Sequence, residues 1–176
     1  GDPGKYLTKL NSDLHAILRH AGTPLLTTAF YFVADWKTGL MRYTNAGHPK
    51  PLHVRRTARQ AGPLANLGDK SQPALGLFEN AAYQTSEVKL ERNDLIMLFT
   101  DGLYEVQGRK ELYSQGLLLT DVRRRLPLPA SELFDQILEE IRQFSADGKF
   151  ADDVCLVGME YTGAAAVEPS DPSPTI

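Results

Sequence analysis

The chain has 176 residues, 42% of them hydrophobic and 23% charged, enough for one domain with a true core. Its net charge of −3 lacks the basic excess of a nucleic-acid binder, and no apolar run approaches the ~20 residues of a membrane span. The single cysteine, Cys155, excludes an internal disulfide framework and fits a reducing, cytoplasmic setting.

Gly1-Asp2-Pro3 leads straight into a helical repeat, without an initiator Met or a signal-peptide pattern. The expectation is a piece of a longer protein. Tyr6, Leu7, Leu10, Leu14, Ile17 and Leu18 recur on one face of a helix over residues 3–21. Asp2 is its expected N-cap, Pro3 its first residue, Arg19 and His20 its basic end and Gly22 its stop. A β-rich run at 27–34, a turn at 35–39 and an alternating run at 40–44 form a meander, with Trp36 as a packing residue at the hairpin tip. Asn45-Ala46-Gly47-His48-Pro49 breaks the second strand, and residues 51–55 resume extended structure.

Residues 56–73 show no period and read as an irregular connection. Residues 73–77 read as an apolar turn on the core, 82–90 as a strand and 91–94 as a tight turn. Leu95-Ile96-Met97-Leu98-Phe99 reads as a strand buried on both faces, ending in the acidic turn Thr100-Asp101-Gly102. A helical turn at 103–106 and two helices, 114–125 and 131–146, follow. Ser131 is the expected N-cap of the second helix, and Leu133, Phe134, Ile137, Leu138, Ile141 and Phe144 form its buried stripe. Asp152-Asp153 opens a last apolar strand, Val154-Cys155-Leu156-Val157, with Cys155 expected in the core. Residues 1–161 make the domain, and the Ala/Pro/Ser-rich stretch 162–176 reads as a disordered tail. Strands in the middle with helices at the start and near the end give an α+β fold, helices packed outside sheets.

Two carboxylate-bearing turns beside two core strands suggest a hard-cation site of the Mg²⁺ or Mn²⁺ kind. From spacing alone, the competing reading makes Asp101 a turn former and Asp152 a loop residue. His48 is a candidate acid or phosphate contact, against a reading in which Gly47 permits a turn and His48 packs locally; the second is favoured. Glu105 either assists the acidic site or lies on the surface. Arg55, Arg56 and Arg59, and the run Arg123-Arg124-Arg125, could attract a phosphorylated partner, although such arginines are more often solvated surface.

Five segments occur in the order found in one family: Thr27-Thr28-Ala29-Phe30-Tyr31, Asn45-Ala46-Gly47-His48-Pro49, Ala74-Leu75-Gly76-Leu77, the stretch from Asp94 to Glu105, and Asp152-Asp153-Val154. Over residues 3–161 the chain resembles the SpoIIE/RsbU-type bacterial serine phosphatases, a branch of the metal-dependent protein phosphatases (PPM). The resemblance implies an α-β-β-α sandwich of antiparallel sheets flanked by helices, with a binuclear Mn²⁺/Mg²⁺ site at a sheet edge. It implies hydrolysis of phosphoserine or phosphothreonine by a metal-activated water, on a phosphorylated STAS-domain anti-sigma antagonist. It makes Asp101 and Asp152 metal ligands, with Asp153 beside them and Gly102, Glu105 and His48 as supporting residues.

The family's upstream Gly-Gly-Asp strand and Asp-x-x-Gly-His-Gly turn, which supply the remaining ligands, do not occur in this sequence. The expectation is therefore a domain missing its N-terminal strands: half a metal site, an inactive isolated chain, and sheet edges open to self-association. The alternative function is a non-catalytic module that keeps the fold to bind a partner. A more distant reading, a generic α+β fold with accidental acidic turns, requires Asp101 and Asp152 to lie too far apart for one cation.

Overall fold

β6 (Leu95–Phe99) is the strand on which the other layers are assembled. Its side chains divide by parity. Leu95, Met97 and Phe99 enter one hydrophobic cluster, and Ile96 and Leu98 enter another. All but Leu98 are at most 3% exposed, as expected of a run with no polar face. The structure, a computed structural model, describes residues 1–18, 26–67 and 71–163.

The sheet containing β6 has the order β4-β3-β6-β9, built from β3 (Leu52–Arg55), β4 (Gln60–Pro63) and β9 (Leu156–Glu160). All its pairings are antiparallel; β6 meets β3 through Leu52↔Met97 and β9 through Met97↔Gly158. A second sheet has the order β1-β2-β5, with β1 (Ala29–Asp35), β2 (Leu40–Ala46) and β5 (Ser86–Lys89). A short hairpin, β7 (Val106–Gln107) with β8 (Leu112–Tyr113), lies beyond β6.

Three clusters define four layers. Leu7 of α1 (Pro3–Leu18) meets Ala46, Leu75 and Tyr83 outside the β1-β2-β5 sheet. Met41, Tyr43 and Ile96 fill the space between the sheets. Leu95, Met97 and Phe99 meet Leu118 and Val122 of α2 (Gln115–Arg124) and Leu133, Ile137 and Ile141 of α3 (Ala130–Phe144). The expected α-β-β-α order is thus present. Each fully buried leucine or isoleucine on α3 contributes roughly 1.5–3 kcal/mol of transfer free energy. Neither sheet could bury its apolar face without its helical layer.

Several local expectations are corrected. Residues 56–73 are not wholly irregular: β4 pairs with β3, and Arg59 closes their hairpin at φ 52. β2 runs on through Asn45 and Ala46, and the break comes at Gly47, φ +70, where a Cβ would lie 3.0 Å from the Ala74 backbone. β5 is only four residues long, because Tyr83 turns away to the α1 cluster. Ser131 does not cap α3. The helix begins at Ala130, and Pro129, at φ −55 and ψ 153, sets the entry while its carbonyl accepts from the Leu133 amide. Cys155 is exposed, not a core residue. β9 is an outer strand, and the 154–157 run alternates between half-buried and exposed positions.

Other expectations hold. Asp2 caps α1 through the Lys5 amide. Trp36 packs by stacking on Tyr161 with ring centroids 5.9 Å apart, but it stays 49% exposed. The expected helix end at Arg19, His20 and Gly22, and residues 164–176 of the expected tail, lie outside the described residues. Among the described residues no helix is long and apolar enough to cross a membrane.

Candidate metal centre

The C-terminal end of β6 runs into a single 3₁₀ turn, Asp101–Leu103. Thr100 is the hinge of this turn. Its amide donates to the Cys155 carbonyl (3.1 Å), its hydroxyl donates to the Asp153 carbonyl (3.0 Å), and the same hydroxyl accepts from the Cys155 amide (3.0 Å). One threonine therefore ties the Asp101 turn to the segment after Asp152 by three hydrogen bonds, one to Asp153 and two to Cys155. Gly102 lets the two turns close: a Cβ there would lie 2.6 Å from the Asp153 carbonyl oxygen and 3.2 Å from the Asp152 carbonyl carbon. The fold places the backbones of the two acidic turns against each other.

Each turn aims its carboxylate outward. Asp101, Asp152 and Asp153 are exposed. The Gly102 amide donates to Asp101 Oδ1 at 3.0 Å, and the Asp153 amide donates to Asp152 Oδ1 at 2.7 Å. Each aspartate thus has one oxygen oriented by its neighbour's backbone. Glu105 donates its amide to the Asp101 carbonyl (2.9 Å) and carries its side chain on the surface.

A cleft of about 330 Å³ adjoins Asp101, lined among others by Thr28, His48, Lys50, Thr100, Tyr104 and Gln115. The turn bearing His48 is locked by Asn45, whose amide donates to the His48 carbonyl (2.9 Å) and whose oxygen accepts from the His48 amide (2.8 Å). The local packing expected of His48 is real for its backbone, yet its ring lines the same cleft as Asp101. Nδ1 lies 3.4 Å from Thr28 Oγ1. Burial holds the imidazole below its ordinary pKa, with the Asp101 charge opposing. Burial also pushes the Tyr104 phenol up, opposed by a hydrogen bond with Gln115 and reinforced by Glu105 and Asp101.

Sequence reasoning missed the positions of Lys50, Tyr104 and Gln115 in this cleft, and the clamping role of Thr100. Thr28 and Tyr104 stood within recognised segments, but Gln115 had no local signal, since only the packing of α2 brings it here.

The donor chemistry fits a hard divalent cation: carboxylate oxygens on turns held by a rigid strand. The donor number is small. Among the described residues no group of three or more His, Cys, Asp and Glu side chains is arranged to hold a metal ion. A cation at Asp101 and Asp152 would therefore complete its shell with water and further donors, as Mg²⁺-type ions commonly do.

Two antiparallel sheets between helical layers, with paired acidic turns at one sheet end, define the fold class of the PPM-type phosphatases. It is the fold of the SiaA PP2C domain of Pseudomonas aeruginosa (16% identity, 90% of this chain and 61% of that one, TM-score 0.72). It is also that of the phosphatase domain of SpoIIE from Bacillus subtilis (15% identity, 94% and 76%, TM-score 0.60). More particularly, the chain belongs to the SpoIIE family: the family model for stage II sporulation protein E matches residues 1–162. Among curated relatives, it is 25% identical over 156 residues to the phosphoserine phosphatase RsbP of Bacillus subtilis, covering 88% of this chain and 36% of RsbP. It is 22% identical over 141 residues to protein IcfG of Synechocystis, covering 80% and 21%. The chain thus spans about a third or less of the length of these relatives.

Proposed function

We propose that the chain is part of the catalytic domain of a metal-dependent protein serine/threonine phosphatase, with Asp101 and Asp152 as metal ligands and Asp153 beside them. The observation that carries this reading is the three-bond clamp of Thr100, which makes the two acidic turns one rigid unit. Divalent cations, Mn²⁺ or Mg²⁺, would when bound polarise the phosphoryl oxygens and activate water. The chain's own residues do the rest. Gly102 permits the close approach of the turns, Glu105 braces the Asp101 carbonyl, and His48 lines the space in which a phosphoryl group would lie.

The substrate class is a phosphoserine or phosphothreonine protein, and within the family logic a phosphorylated STAS-domain anti-sigma antagonist in cytoplasmic signalling. The name of RsbP, a phosphoserine phosphatase, supports that class. The small donor set supports a further statement: these 176 residues alone turn over substrate poorly, because the bridging carboxylate of a two-metal site is missing. The same observation favours a second reading, a non-catalytic module that keeps the fold to bind a partner.

The test is calorimetric titration of Mn²⁺ into the chain, paired with turnover of a phosphoserine peptide. Expected is weak binding, reduced at least about tenfold by Asp101→Asn or Asp152→Asn, with turnover near background. Binding unaffected by both substitutions would remove the ligand assignment. Robust turnover would overturn the inactivity. The sequence encoded upstream of Gly1 separates the two readings: the Gly-Gly-Asp and Asp-x-x-Gly-His-Gly segments there mean an enzyme, and their absence means a binding module.

A further inference from the structure

A second concave surface lies along the β4 edge of the β4-β3-β6-β9 sheet. It is a groove of about 590 Å³ between β3, the hairpin strand β4 and α2, lined by Arg55, Arg59, Gln60, Gly62, Arg123 and Leu126 among others. β4 lies two strands from β6, the second acidic turn leads into β9 at the opposite edge, and no described residue lines both this groove and the Asp101 cleft. The two surfaces are therefore distinct.

Its charge is of one sign. Among the described residues neither Arg59 nor Arg123 pairs with a carboxylate, and Arg55 reaches Glu91 only at 3.6 Å with both side chains half-exposed. The contrast with neighbouring arginines is direct: Arg56 pairs with Glu160, and Arg124 and Arg125 with Asp121 and Glu140. The nearby Asp94 does not reach the groove surface: its side chain is 0% exposed and its Oδ2 is bonded to Nε2 of His53, which lines the groove, at 2.7 Å.

The arginines are also held. Arg123 donates its Nε to the Ala61 carbonyl (2.9 Å), which spans the gap between α2 and β4 and leaves the outer guanidinium nitrogens to the groove. Arg59 occupies the left-handed region at φ 52, where glycine or asparagine would be accommodated more easily. Among the described residues no carboxylate pairs with the Arg59 side chain, which leaves its guanidinium available to a group from outside the fold.

We propose that this groove docks an acidic segment of a partner protein, its carboxylates taken by the forks of Arg55, Arg59 and Arg123. Three guanidiniums match carboxylates spaced along an extended chain. The volume suits a few residues of such a segment. Among the described residues no Phe, Tyr or Trp lines the groove to stack a base, and the His53 ring is held by Asp94, which disfavours a nucleotide. The chain as a whole is net negative, so an acidic peptide gains nothing from the overall charge and depends on local basic surface such as this one. The inference is independent of the phosphatase reading and is tested without metal or turnover.

The probe is a fluorescein-labelled peptide of eight glutamates, titrated with the full chain and read by anisotropy at low and moderate salt. Binding should weaken as salt rises and fall about tenfold in Arg59→Gly, and further in the double variant Arg59→Gly/Arg123→Gln. Arg59→Gly should fold at least as well as the parent, because glycine relieves the left-handed backbone, so lost binding cannot be ascribed to unfolding. Arg109→Gln, on the β7–β8 turn, should bind as the parent does. Absence of binding, an equal loss in Arg109→Gln, or displacement of the peptide by equimolar inorganic phosphate or ATP would overturn the proposal.

Discussion

The two ends of β6 carry the same residue type for opposite purposes. Asp94 enters the strand and Asp101 leaves it. Asp94 is sealed: its side chain is 0% exposed, and Oδ2 bonds both His53 Nε2 (2.7 Å) and the Glu91 amide (3.0 Å). Asp101 is open, with one oxygen fixed by the Gly102 amide and the other free for a ligand. One carboxylate holds the fold and the other is offered to solvent. Burial, not residue type or turn chemistry, separates them: inside the fold Asp94 Oδ2 makes two hydrogen bonds while the buried Oδ1 has no partner among the described residues, whereas an exposed carboxylate on a rigid turn can exchange water for a cation.

The comparison is broken most severely at Asp94. Asp94→Ala removes the partner of His53, which is only 9% exposed, and the acceptor of the Glu91 amide. Loss of about 3 kcal/mol is expected, the range for removing one member of a buried pair. Urea unfolding measures it. A loss under ~1 kcal/mol would mean that the β6 entrance does not depend on the pair.

The next effect falls at Gly102. An alanine there would force its methyl against the Asp153 carbonyl, 2.6 Å away from the Cβ position. The obstacle is backbone, so the turns have to separate, at a cost of about 1–3 kcal/mol. The same separation should weaken Mn²⁺ binding without removing a carboxylate. If Gly102→Ala unfolds as the parent does and binds Mn²⁺ equally well, the two turns are not one unit.

How much of this was legible in the sequence differs between the same two regions. β6 itself was legible because five consecutive apolar residues leave little choice but burial on both faces. α3 was legible because its stripe repeats at 3.6 residues. β4 was not: Gln60-Ala61-Gly62-Pro63 has neither alternation nor β-branched residues, and becomes a strand because the Arg59 turn folds it onto β3. Cys155 was misread because an apolar run does not reveal whether its strand is central or outer. The two acidic turns were legible through ordered motifs, and the approach of their backbones follows from the pairing of β6 with β9. Asp94 sat in an ordinary-looking turn. Its partner His53 is 41 residues away in sequence, and only the β3–β6 register joins them.

The smallest effect on stability is expected at Asp101, and it sharpens the contrast most cleanly. Asp101→Asn keeps the shape of the side chain and the oxygen that accepts from the Gly102 amide. It removes a charge that no described basic side chain pairs with. An exposed substitution of this kind should leave stability within about 0.5 kcal/mol of the parent, against ~3 kcal/mol at Asp94. The two aspartates then separate in a single pair of unfolding curves recorded in metal-free buffer. With saturating Mn²⁺ the parent should gain stability by mass action and Asp101→Asn should gain less, since a ligand stabilises only the state that binds it. A loss above ~1 kcal/mol in metal-free buffer would make Asp101 a structural residue like Asp94. An equal gain with Mn²⁺ in both proteins would place the cation elsewhere.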